Sequence, residues 1–187
     1  MRLFIAINLP ESERQAIHDS TAPLRAASKS VTWVAPDCIH LTMKFLGEQQ
    51  SEDVPRVREA VAEVACRFQP LRLDVGGMGA FPHLRAPRIF WMGIGADPKL
   101  ELLHHDLEVA CERLGHDVEA RAFRPHVTLG RVKREVSDEQ VAAMARLATN
   151  VRYRGTIEAR TIDVMQSELS AAGPRYTVLA AVPLGNS

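Results

Sequence analysis

Apolar residues recur along this chain with two periods, and the switching between them predicts its elements. Residues 3–7, Leu3 to Ile7, are continuously apolar, the pattern of a buried strand. Pro10 suits a helix's first turn, Glu11 and Glu13 sit near the favourable positive end, and the helical pattern runs to about Leu24 or Ala27. Ser28, Lys29 and Ser30 form a polar break. Val31, Trp33 and Val34 predict a short strand, Pro36 and Asp37 a turn, and residues 39–46 a strand ended by Gly47. Asp53 is placed to cap a helix carrying Val57, Val61, Val64 and Ala65 on one side, and Pro70 ends that segment.

The second half continues in the same way. Leu71, Leu73 and Val75 alternate with Arg72 and Asp74, a half-buried strand. Gly76, Gly77 and Gly79 then indicate a bulge or a flexible loop, because the Gly-Lys-Ser/Thr of a phosphate loop is missing. Residues 88–94 predict a strand, and Leu100, Leu103, Leu107, Ala110 and Leu114 a helix stopped by Gly115. Residues 126–132 predict a strand, and the Ser137/Gln140 capping box opens a helix with Val141, Met144, Ala145 and Ala148. Residues 156–165 and 176–184 are two closing strands with a turn at Gly173-Pro174. Seven or eight strands and four helices in irregular order predict an α+β fold with antiparallel sheets. No Pro- or Ser-rich linker divides the 187 residues, so one domain is expected.

Charge narrows the partners. Lys+Arg and Asp+Glu are both 23, so the net charge is zero, whereas a protein that wraps long nucleic acid carries a large positive excess. An RNA end or a small nucleotide remains compatible. Cys38, Cys66 and Cys111 are odd in number and widely spaced, which argues against a disulfide framework or zinc finger and for buried, reduced thiols in a cytosolic protein. The short run after Arg2 meets Pro10, Glu11, Glu13 and Arg14 at once, so it reads as a strand and not a signal peptide. No stretch approaches a membrane span. A cytoplasmic monomer without membrane contact is expected.

The candidate chemistry lies in a repeated triplet. His40-Leu41-Thr42 and His126-Val127-Thr128 each open an apolar strand, 126 minus 40, that is 86, positions apart. Positions i and i+2 of a strand share a face, so each histidine shares a face with its threonine. Strands side by side in related lobes would bring two imidazoles and two hydroxyls into one groove. Displacement at phosphorus needs one proton removed from the attacking oxygen and one given to the leaving oxygen. Two imidazoles do both near neutral pH. Threonine hydroxyls can donate to the non-bridging oxygens as charge builds. No carboxylate cluster for a two-metal site is evident, and no cofactor is called for.

Longer segments around these triplets resemble a known family. Arg2 to Pro10, Trp33-Val34 with His40-Leu41-Thr42-Met43-Lys44-Phe45-Leu46-Gly47, Pro125-His126-Val127-Thr128-Leu129-Gly130-Arg131, and Gly173-Pro174-Arg175-Tyr176-Thr177-Val178 are similar, in order, to the LigT-like branch of the two-histidine (2H) phosphoesterases. The resemblance implies one bilobal domain over residues 1–187 with pseudo-two-fold symmetry and a groove between antiparallel sheets. It implies RNA 2′,3′-cyclic phosphodiesterase activity leaving a 2′-phosphate, without metal, together with 2′–5′ RNA ligation. It makes His40 and His126 the acid–base pair, Thr42 and Thr128 the phosphate holders, and Arg131 a phosphate contact. His40 is expected to protonate the departing 3′ oxygen and His126 to activate water.

The remaining candidates are weaker. Lys133 and Arg134 could add positive field, though such runs are usually solvated. Trp33, Phe45, Phe81 and Trp91 could stack on a base, with Phe45 beside a signature and Phe81 in a variable loop preferred. His104 and His105 are neighbours on a helix and share no face, so they read as surface or interface residues, like the isolated His18, His83 and His116. Small cyclic nucleotides or 2′–5′ linked oligonucleotides are alternative substrates. A non-catalytic nucleotide-binding module and a metalloenzyme are the competing classes. The first would have lost a histidine, and the second would lose activity in excess EDTA.

Overall fold

The computed structural model describes residues 1–27, 29–133, 136–170 and 173–185; Ser28 and Arg134, named above, lie outside them. Among the described residues the strands are β1 (Arg2–Asn8), β2 (Val31–Trp33), β3 (His40–Glu48), β4 (Leu71–Phe81), β5 (Ile89–Ile94), β6 (His126–Val132), β7 (Arg154–Ala159), β8 (Thr161–Ser170) and β9 (Gly173–Pro183). The α-helices are α1 (Glu11–Ser20), α2 (Ala22–Ala27), α3 (Val54–Ala65), α4 (Pro98–Glu112) and α5 (Asp138–Thr149). The class is α+β, and every strand pair among the described residues is antiparallel.

The strand order is β7-β4-β5-β6-β3-β1-β8-β9, with β2 beside β6. Four strands therefore lie on each side of a seam between β6 and β3. The seam consists of one pair, Leu41 with Val127, because β2 occupies the rest of that edge of β6 through Val31–Val132, Thr32–Arg131 and Trp33–Gly130. The two strands that open with a His-x-Thr triplet are thus central neighbours, and the halves fan out from them in mirrored order.

One face of the sheet is sealed by helices. Leu3, Ile5 and Ile7 of β1, Leu41 and Met43 of β3, and Leu73 and Val75 of β4 share a core with Ile17 of α1, Val57, Val61 and Val64 of α3, and Leu100, Leu103 and Leu107 of α4. A smaller cluster joins Leu24 of α2 and Met144 and Ala148 of α5 to Val31, Ala80 and Phe90. Each such fully buried aliphatic side chain contributes about 1.5–3 kcal/mol of transfer free energy. The helical spacing of the apolar residues in α3, α4 and α5 is what makes these stripes continuous.

Several expected boundaries move. The first helical pattern is divided at Thr21, whose hydroxyl donates to the His18 carbonyl at 2.8 Å and stops α1. Asp53 does not cap α3; its Oδ2 accepts from the Gln50 N–H at 3.0 Å and caps the 3₁₀ turn Ser51–Asp53 instead. The cap of α4 is Asp97, whose Oδ1 accepts from Lys99 and Leu100 N–H. Three strands, not two, close the chain, with Arg160 between β7 and β8. Gly173 and Pro174 are not a turn but the first rungs of β9, opposite Ser170 and Leu169. The glycine stretch continues β4 through a bulge between Val75 and Met78, so Phe81 closes a strand and does not sit within a loop. Cys38 and Cys111 are buried free thiols as expected, but Cys66 is exposed. No helix of the described residues is long and apolar enough to cross a membrane.

Candidate active site

Strand alternation about the Leu41–Val127 pair decides where the triplets point. Leu41 and Val127 are buried in the core, so His40, Thr42, His126 and Thr128 all face away from the helices. Antiparallel register about that pair sets His40 opposite Thr128 and His126 opposite Thr42. The histidines are then diagonal neighbours, with backbones roughly 7–8 Å apart, a separation that two imidazoles can span to flank one phosphorus. All four side chains are half-buried, and neither threonine hydroxyl makes a hydrogen bond among the described residues.

Both imidazoles are held alike. His40 Nδ1 lies 2.9 Å from the Cys38 carbonyl oxygen, and His126 Nδ1 lies 2.6 Å from that of Arg124. In each case the acceptor is two residues back. A carbonyl accepts only from N–H, so Nδ1 carries the proton and the Nε2 lone pair is left for the groove. Burial pushes the His40 pKa below its ordinary value against the opposing pull of the Cys38 bond. Burial lowers His126 likewise, and the Arg131 guanidinium adds to it against the Arg124 bond.

Bulges bring two further residues to this face. Between Lys44 and Thr42, β3 gains Met43 relative to β1, and between Gly130 and Thr128, β6 gains Leu129 relative to β5. Met43 and Lys44 are consequently both buried, and Phe45 is turned onto the histidine face, 71% exposed. Leu129 and Gly130 are both buried, and Arg131 is turned out in the same manner. Lys44 is neutralised inside: its Nζ lies 2.6 Å from Glu108 Oε2 and donates to the Asp117 carbonyl at 2.5 Å. Glu108 Oε2 also accepts from the Glu119 N–H at 3.0 Å, so the pair anchors the segment approaching β6.

Aromatic rings border each histidine. Phe81 meets His126 edge-on at 5.0 Å and 81°, and Trp91 lies 6.2 Å from it. Trp91 covers Gly79, where a Cβ would come within 2.3 Å of the indole ring. Around His40 stand Phe4 at 5.0 Å and Tyr176 at 5.1 Å. Asn8 Nδ2 donates to Asp163 Oδ2 at 2.6 Å along the same face, while Asp163 Oδ1, buried, has no hydrogen-bond partner among the described residues. Phe4, Tyr176, Asn8 and Asp163 were not singled out by the sequence pattern. Their approach to His40 depends on strand order, and only the period-two parity of Phe4 and Asn8 with Ala6 hints at a shared face.

Other candidates fall outside the groove. Trp33 stacks on Phe90 at 5.8 Å and 21°, on the helix-covered side. His104 lies flat on Phe123 at 3.8 Å and 11° and 3.7 Å from Glu108 Oε1, a half-buried packing role where a surface or interface position was expected. Lys133 donates to the Lys29 carbonyl at 2.9 Å.

Residues 13–169 match the model of the 2′-5′ RNA ligase superfamily. An RNA 2′,3′-cyclic phosphodiesterase of Archaeoglobus fulgidus is 34% identical over 176 residues, covering 94% of this chain and 96% of that protein. One of Methanothermobacter thermautotrophicus is 29% identical, covering 95% of each. A crystal structure from Thermus thermophilus superimposes with a TM-score of 0.83 at 28% identity over 100% of both chains. Escherichia coli LigT complexed with 3′-AMP gives 0.74 at 27% identity over 99% of this chain and 98% of that one.

Proposed function

The chain belongs to the 2′-5′ RNA ligase superfamily, and from that premise we propose that it is an RNA 2′,3′-cyclic phosphodiesterase in which His40 and His126 exchange protons across one phosphorus. The observation that carries this reading is the seam: one strand pair, flanked on one face by two histidines with identical Nδ1 tethers and free Nε2 atoms.

The chemistry runs as an in-line displacement. Water approaches the phosphorus of the terminal cyclic phosphate opposite the 3′ oxygen. His126 Nε2 takes a proton from that water as the new P–O bond forms. The P–O3′ bond breaks, and protonated His40 gives its proton to O3′, leaving a 2′-phosphomonoester and a free 3′ hydroxyl. The Arg131 guanidinium favours a neutral His126, which supports it as the base. The incoming phosphate anion favours protonation of His40, offsetting the burial that lowers it. Thr42, Thr128 and Arg131 are the donors assigned to the non-bridging oxygens. Phe45 and Phe81 are the rings assigned to the terminal nucleoside.

The same displacement with an RNA 5′ hydroxyl in place of water forms the P–O5′ bond, breaks the P–O3′ bond and joins RNA through a 2′–5′ bond. In dilute solution water outcompetes an RNA hydroxyl by mass action, so hydrolysis is the dominant outcome. One bilobal domain over residues 1–187 fits the core, which draws on strands of both halves. Incubating the protein in excess EDTA with RNA ending in a 2′,3′-cyclic phosphate tests the proposal. The expected product is the 2′-phosphate. A 3′-phosphate product, or activity abolished by EDTA, overturns it.

A further inference from the structure

Tyr176 belongs to β9, the outermost strand of its half, with β8 and β1 between it and β3. Its ring nevertheless meets His40 at 5.1 Å and 89°. The same ring meets Phe4 at 5.2 Å and 72°, and Phe4 meets His40 at 5.0 Å and 35°. The three rings close a triangle, so the imidazole is walled on two sides.

The tether alone does not achieve this. A single hydrogen bond from Nδ1 to the Cys38 carbonyl leaves the imidazole free to rock about that contact and swing Nε2 off line. Phe4 is fixed from below by Ala6 and Met165 in a small buried cluster, against which Tyr176 packs. An edge-on ring on the open side removes the remaining freedom. The phenol adds no charge: burial pushes its pKa above the ordinary value, the Cys38 thiol nearby adds to this, and Arg131 opposes it. Its hydroxyl makes no hydrogen bond among the described residues. At the matching side of His126 the edge-on partner is Phe81, at 5.0 Å and 81°, which has no hydroxyl to offer.

We propose that Tyr176 is the positioning residue of His40, acting through its ring and not its hydroxyl. This rests on the groove being the phosphodiesterase site. The ring keeps Nε2 aimed at the phosphorus and keeps water off the imidazole.

Two variants test it, Tyr176→Ala and Tyr176→Phe, each read by NMR titration of the histidine Cε1–H signals without substrate and by kcat and KM on RNA ending in a cyclic phosphate. In Tyr176→Ala, His40 should titrate at higher pH by about half a unit or more, with His126 unmoved as the internal reference. Its kcat should fall about tenfold while KM stays within about threefold, as expected for lost orientation. Tyr176→Phe should keep the wild-type His40 titration and a kcat within about twofold. A wild-type His40 titration and kcat in the Ala variant overturn the proposal. So does a tenfold loss in the Phe variant, which remains decisive if the Ala variant does not fold. Should the wild type fail to open the cyclic phosphate, the functional reading falls, and the substrate-free titration still judges the positioning role.

Discussion

Phe45 and Arg131 occupy matching places on the two central strands, each five residues beyond its histidine and just past a bulge that turns it onto the groove face. Without the bulges, strict alternation through Met43 and Leu129 would send both side chains into the core and bring Lys44 and Gly130 to the histidines. The two halves use one backbone device to deliver different chemistry, an apolar ring at one end and a cation at the other. That asymmetry suits the proposed substrate, which has one phosphate and one base.

The two positions should therefore separate in kinetics. Arg131→Ala is expected to lower kcat/KM about 10- to 100-fold, the loss of charged hydrogen bonds to phosphate. Phe45→Ala should raise KM about tenfold through lost stacking and change stability by less than about 0.5 kcal/mol, because the ring is exposed. Steady-state kinetics beside urea denaturation checks both. An unchanged KM in the Phe45 variant would take that ring out of the substrate's path.

His40→Ala and His126→Ala should each cost about 10²–10⁴ in kcat. A substrate analogue with a good leaving group needs no acid, so it should restore His40→Ala and leave His126→Ala impaired. The opposite pattern reverses the assigned roles.

Depressed histidine pKa values fix the sign of two pH effects. For both groups the folded pKa lies below the ordinary 6.5, so the unfolded chain takes up protons first as pH falls. Stability is complete above about pH 6.5 and declines beneath it, down through the folded values. Urea midpoints at pH 7 and pH 5 should differ less in the His40→Asn, His126→Asn double variant than in the wild type. The acid limb of kcat/KM should likewise lie below pH 6.5, since the free enzyme keeps its base neutral to that point.

Lys44 and Glu108 are 4% and 7% exposed and 2.6 Å apart. Lys44→Met leaves the carboxylate uncompensated and should cost about 3–5 kcal/mol, while the Lys44→Met, Glu108→Leu pair should recover most of that loss. Denaturation of the two variants measures it. Equal losses would show that the charge is not what Lys44 supplies.

Gly130 occupies on β6 the place that Lys44 fills on β3. A Cβ there would stand 2.7 Å from atoms of Trp33 and Val31. Gly130→Ala should destabilise by about 1–3 kcal/mol by forcing Trp33 off Phe90, with a change in tryptophan fluorescence. Unaltered stability would mean that β2 gives way freely.

How much of this was legible follows the range of the interactions. The histidine–threonine pairs were readable because a strand's period is local and fixed, and the core stripes of α3, α4 and α5 were readable for the same reason. Bulges have no such signature, so Phe45 and Arg131 could be named as candidates while the reason they share the histidine face could not. Gly173-Pro174 carries the chemistry of a turn, yet pairing with Ser170 and Leu169 draws both residues into β9. Tyr176 reaches His40 across two intervening strands, a contact set by how the sheet curls and by nothing adjacent in the chain.

The strand order also has a consequence for synthesis on the ribosome. The half holding His126 is built from β4 to β7, one continuous stretch of chain, whereas the half holding His40 needs β1 and β3, which precede that stretch, and β8 and β9, which follow it. A nascent chain halted before β8 has every strand of the His126 half, while β1 still waits for its outer neighbour and His40 for the ring of Tyr176. The proposed acid–base pair matures only after β9 has been made.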